Sequence, residues 1–103
     1  MTTLEAMVGA RQVLAEMGWC RGVPAMDEEG EWRRATSPKA VVFCALGAVD
    51  RVTDHNPFLQ NDVNRLLSDL SGHPILTWND APGRTKEEVI ALFDQAIASL
   101  EEE

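Results

Sequence analysis

Cys44, His73 and the pair Asn79–Asp80 stand in the chain order of a cysteine hydrolase: a thiol, an imidazole base, then an orienting amide or carboxylate. In that chemistry the base takes the thiol proton and the third group holds the imidazole. Two features of the sequence oppose it. A reactive thiol belongs at a helix N-terminus or beside a cation, where the thiolate is favoured. Cys44 instead lies about two helical turns beyond the cap expected at Ser37. The stretch between Cys44 and His73 is also largely taken up by one helix, so no sheet can present the base as hydrolase scaffolds do. The expectation is therefore that Cys44 is buried as a small hydrophobe. A hydrolase or transferase using Cys44, His73 and Asp80 is the alternative.

The other metal- and redox-capable residues, Cys20, His55 and His73 with Cys44, lack the close pair spacing of zinc sites, and no metal is expected. A Cys20–Cys44 disulfide is disfavoured in a reducing compartment. His73, ahead of Pro74, fits a helix C-terminus. No glycine-rich phosphate loop, dinucleotide fingerprint or metalloprotease helix is present, so no cofactor is expected.

Trp19, Cys20, Trp78, Asn79, Asp80 and Arg84 form the candidate binding set. Aromatic walls with a few polar groups suit a small-molecule or peptide pocket, and the Arg84 fork fits a carboxylate or phosphate. The same Asn and Asp residues also build turns by bonding nearby backbone N–H groups, and Arg84 can pair with local acids. Trp32, beside Arg33 and Arg34, is expected under a hairpin; exposed, it would be an interface anchor and a route to a homodimer.

The elements that position these residues begin with a capping box, Thr2 with Glu5, opening a helix with Leu4, Met7, Val8, Leu14 and Met17 on one side and Gly18 at its end. Residues 19–35, with Gly22, Pro24 and the turn Asp27-Glu28-Glu29-Gly30, predict a short β-hairpin. Ser37-Pro38 predicts a second helix over roughly 38–53, apolar nearly all round and therefore central and buried. Asn56-Pro57 opens a third helix, with Leu59, Val63, Leu66, Leu67 and Leu70 on its core face and a stop at Gly72. Ile75 to Trp78 reads as extended. A second capping box, Thr85 with Glu88, opens a fourth helix striped with Val89, Ile90, Phe93, Ala96, Ile97 and Leu100. The fold class is α+β, mostly α: about four helices around the 38–53 helix with a short hairpin, in a single domain spanning 1–103.

Three stretches carry a resemblance: Gly18-Trp19-Cys20-Arg21-Gly22, Phe43-Cys44-Ala45-Leu46-Gly47-Ala48, and Trp78-Asn79-Asp80-Ala81-Pro82-Gly83-Arg84-Thr85-Lys86-Glu87-Glu88-Val89. In this order the chain resembles a family of small uncharacterised proteins of bacteria and their phages, a domain of unknown function with W-C-x-G, C-x-L-G-A and N-D-x-P-G segments. The resemblance spans nearly the whole chain. It implies positions but no activity.

Composition narrows the partners. Nine Lys and Arg face seventeen Asp and Glu, for a net charge of −8. Phosphate backbones and anionic membranes select the opposite balance, so neither nucleic acid nor a membrane is expected. The acids cluster at Asp27–Glu31 and Glu101–Glu103, where solvated turns and a tail explain them better than mimicry of DNA. The longest apolar run, Ala40–Val49, is too short to span a bilayer. Met1-Thr2-Thr3-Leu4-Glu5 lacks the basic start of a secretory signal, so the cytoplasm is expected. The functional expectation is a non-enzymatic small-ligand or protein interaction module, an accessory protein of mobile-element origin.

Overall fold

The computed structural model describes residues 1–102. Its elements are α1 (Thr3–Glu16), β1 (Ala25–Met26), β2 (Trp32–Arg33), β3 (Val42–Phe43), α2 (Ala45–Thr53), α3 (Pro57–Ser71), α4 (Ile75–Asn79) and α5 (Lys86–Glu101). The architecture is α+β and mostly α, with five helices and one small antiparallel sheet.

Both capping boxes form. Thr2 accepts from Glu5 N–H while the Glu5 carboxylate accepts from Thr2 N–H, and Thr85 with Glu88 repeats the pattern at α5. Asn56 caps α3 by accepting from the N–H groups of Phe58 and Leu59, with Pro57 as the first helical residue. Gly72 ends α3 in the left-handed region, φ 77°. Glu101 closes α5 and Glu102 caps it; Glu103 of the acidic tail lies outside the described residues.

The stretch expected as one central helix over 38–53 is divided. Ser37 caps no helix; its hydroxyl accepts from Lys39 N–H in a tight turn. Val42 and Phe43 pair with β1 instead, and the helix begins only at Ala45. A continuous apolar run fits a buried strand or a buried helix equally well. Here its first half completes a sheet of order β2-β1-β3, with Ala25 opposite both Arg33 and Phe43. The expected hairpin is thus two strands of three, and Trp19 extends the β3 edge through a parallel bridge to Phe43. Trp32, on edge strand β2, is 56% exposed rather than buried.

The core is one cluster in which Met7, Leu14, Phe43, Val49, Leu67 and Phe93 are fully buried. Helix α1 lies against α2 and α5 and touches α3. Its inward face is Ala6, Met7, Ala10 and Leu14, while Val8 and Met17 point outward. Gly9, where a β-carbon would lie 3.3 Å from Val52, lets α1 and α2 approach closely. Arg51 ties the 34–40 loop to α2 by donating to the carbonyls of Ala35 (3.1 Å) and Ser37 (2.6 Å). Ile75 to Trp78, expected to be extended, instead lies in the helical turn α4 (Ile75–Asn79), whose first N–H is accepted by Ser68 Oγ at 3.0 Å. No helix among the described residues is long and apolar enough to cross a membrane.

A candidate binding pocket beside Cys44

Asn79 is fully buried at the end of α4, and each of its polar atoms is used. Its Oδ1 accepts the Trp19 indole N–H at 2.8 Å and the Ala45 N–H at 3.0 Å. Its Nδ2 donates to Cys20 O at 3.3 Å and to Asp80 Oδ1 at 2.9 Å. One amide therefore joins the strand-like segment at Trp19–Cys20, the first residue of α2 and the α4 turn. Asp80 adds a second tie by accepting Gly22 N–H at 3.0 Å, and Arg21 reaches the Ala81 carbonyl at 3.0 Å. These bonds bring together the three sequence motifs that carried the family resemblance.

Of the candidate binding set, Trp19, Cys20, Asn79 and Asp80 meet in this network. Trp78 and Arg84 form a separate pair. The Arg84 guanidinium carbon stacks 3.9 Å from the Trp78 ring centroid, its Nε donates to Trp78 O, and its Nη1 pairs with Glu88 at 3.0 Å.

Next to the network is a cavity of about 240 Å³ lined by Gly22, Val23, Pro24, Cys44, Leu46, Gly47, Asp50, Gln60, Leu76 and Asp80. Its back wall is the start of α2. Cys44 is the N-cap there, not a mid-helix residue. Its backbone N–H donates to Pro24 O at 3.0 Å, and its Sγ accepts from Gly47 N–H at 3.2 Å. Gly47 is required by this approach, since a β-carbon in its place would fall 2.0 Å from Pro24 O. Asp50 Oδ2 lies 3.3 Å from His55 Nδ1, whereas Asp50 Oδ1 is buried with no hydrogen-bond partner.

Both thiols are free and buried. Burial pushes Cys20 up to about 12, with the charge on Cys44 and then Asp80 adding to the effect. Cys44 is also raised, first by burial; the N–H groups of Gly47 and Leu46 offset part of this, and Asp80 and Asp50 reinforce it. His73 is exposed at the C-terminal end of α3 and is not among the residues lining the cavity, and His55 is exposed beside Asp50. Among the described residues, no three His, Cys, Asp or Glu side chains gather as metal ligands.

Of the cavity lining, the sequence marks Cys44 and Asp80 as candidate site residues and Gly47 as a point where neighbours approach closely, but it does not single out Pro24, Asp50, Gln60 or Leu76. The signal for Gly47 is a glycine inside the expected 38–53 helix, where it costs stability unless something must come close. Asp50, following ten residues without a charge, was the other available signal.

A three-stranded sheet and five helices fastened by one buried asparagine define a small α+β scaffold with a preformed pocket. The chain belongs to a family of unknown function (DUF6197), whose profile matches residues 1–99. No curated protein and no solved structure matches the chain.

Proposed function

We propose that this protein is a non-catalytic binding module whose site is the pocket between the Gly22–Pro24 loop, the start of α2 and Asp80. The observation that carries the reading is a cavity of about 240 Å³ whose wall is held in place by the four hydrogen bonds of Asn79. A fixed, mostly apolar wall with a few carboxylates, an amide and a neutral thiol is suited to selecting a ligand without transforming it. The excess of acids argues against nucleic acid as that ligand. Two free, buried thiols fit a reducing cytoplasm, and an accessory role in bacteria or their mobile elements fits the small size and the motifs.

The test is a fragment titration of the ¹⁵N-labelled protein. Fragments that bind will shift the amides of Gly22, Gly47, Gln60 and Asp80 together. If hits scatter over the surface and leave these four unmoved, the reading fails.

A cysteine-dependent hydrolase or transferase is the second reading, favoured by the place of Cys44 at a helix N-cap and on the cavity wall. Burial and the two nearby carboxylates oppose it, because both hold the proton on sulfur. A homodimer through edge strand β2 rests on the exposure of Trp32; sedimentation at micromolar concentration decides it.

A further inference from the structure

The pocket does not end at its own rim. A second depression, about 720 Å³, is lined by Leu46, Pro57, Phe58, Gln60, Asn61, Asp62 and Asn64, and the two meet at Leu46 and Gln60. Phe58 is 82% exposed on this outer shelf and Leu76 is 52% exposed beside the inner pocket. Large apolar side chains left in water next to a cavity mark a surface that something covers.

The charge of the groove is one-sided. Asp50 and Asp80 line the inner pocket, Asp62 lines the shelf, and no Lys, Arg or His lines either. Asp50 has its Oδ2 3.3 Å from His55 Nδ1, at the seam with a neighbouring depression that also holds Arg34, while its Oδ1 is buried without a partner. Carboxylates on a partly closed apolar wall are better satisfied by a cationic N–H donor than by water alone. An anionic occupant meets three carboxylates, and a neutral apolar one leaves them without a counter-charge. A small free amine fills the inner pocket but leaves Phe58 in water.

Resting on the reading of the pocket as a binding site, we propose that this groove docks an extended segment of a partner protein. A Lys or Arg side chain of that segment enters the pocket toward Asp50 and Asp80, and a neighbouring apolar side chain covers Phe58. The aliphatic stem of Lys or Arg suits the Leu46, Leu76 and Pro24 walls, while its charged head suits the carboxylates. The carboxylates then select the sign of the charge and Phe58 supplies the apolar anchor.

The experiment titrates the ¹⁵N-labelled full chain with a pool of blocked pentapeptides carrying one Arg or Lys and one Leu or Phe at varied spacing. A matched pool replaces the cation by citrulline or norleucine, and agmatine alone serves as the free small cation. The cationic pool is expected to shift Gly22, Gly47 and Gln60 at roughly tenfold lower concentration than the neutral pool, and to weaken as salt is raised. Asp50→Asn and Phe58→Ser are each expected to weaken it by about fivefold or more. Phe58→Ser lies on the surface and keeps the fold, so the test survives if Asp50→Asn does not.

Equal binding of the neutral pool overturns the cation inference and leaves the pocket reading standing. Agmatine binding as tightly as the peptides overturns the docked segment in favour of a small molecule. Self-association that Phe58→Ser abolishes assigns the groove to a second copy and also overturns it. No shift at the pocket with any probe, fragments included, removes the pocket reading itself.

Discussion

The Trp19 indole N–H donates to Asn79 Oδ1 at 2.8 Å, joining two of the three sequence motifs across most of the chain. The same oxygen also takes the Ala45 N–H, so Asn79 sets where α2 begins as well as where α4 stops. Removing its side chain leaves an indole N–H and a backbone N–H buried without partners. Asn79→Ala is expected to cost about 2–4 kcal/mol. In a chain of this size that lowers Tm by roughly 10 °C or more, which thermal unfolding by circular dichroism will read. Asn79→Asp tests the other half of the amide. A carboxylate there keeps the acceptor but loses the bonds to Cys20 O and Asp80, and it faces Asp80 as a like charge. Its deficit against the wild type should narrow as pH falls and the added carboxyl becomes protonated.

Gly47 is predicted to tolerate no side chain. An alanine β-carbon would lie 2.0 Å from the Pro24 carbonyl oxygen, which is backbone and already accepts from Cys44 N–H. Gly47→Ala should cost about 3 kcal/mol, although glycine-to-alanine in an open helix stabilises. Urea unfolding of the variant checks this. An unchanged or raised midpoint would show that the Gly22–Pro24 loop is not seated on α2 as described.

Asp27 supplies a pH dependence away from the pocket. Its carboxylate accepts from the N–H groups of Glu31 (2.9 Å) and Glu29 (3.0 Å) and from Arg33 Nε (2.9 Å). These bonds, the Glu31 N–H foremost, hold its pKa below the ordinary 3.8 against the opposing effect of burial. A carboxylate lowered on folding contributes stability that is fully present above its unfolded value and is lost as pH falls through its folded value. Asp27→Asn should therefore melt below the wild type at pH 7, with the gap closing below about pH 4. A gap that persists unchanged at pH 2.5 would mean that the charge plays no part in the turn.

The contrast between elements that could be read from sequence and those that could not follows from the range of the interactions. Thr2 with Glu5, Asn56 with Phe58 and Leu59, and Thr85 with Glu88 bond within a single turn, so residue identity and spacing suffice, and α1, α3 and α5 begin where those residues stand. The run from Val41 to Val49 carries no period, and only pairing with Ala25 and Met26 decides that Val42 and Phe43 are a strand. That choice moves Cys44 from the middle of a helix to its N-cap, which changes its chemistry. Asn79 looked like a turn residue because its partners, Trp19, Cys20 and Ala45, are distant in sequence and carry no local signature. Met7 and Leu14 were placed on the core face of α1, but Val8 and Met17 were placed with them, since alanine gives no hydrophobic contrast by which to locate the true stripe at Ala6 and Ala10.

The proposal of a site that binds without reacting depends on the Cys44 sulfur being a neutral helix cap, and its alkylation rate measures this most directly. Native protein is treated with iodoacetamide from pH 6 to 10, and modification at Cys44 is followed by peptide mass spectrometry. A neutral cap predicts a rate at pH 7.5 at least about tenfold below that of free cysteine, still climbing at pH 9 without a plateau. A rate above that of free cysteine, levelling off below pH 8, would reveal an activated thiolate and contradict it.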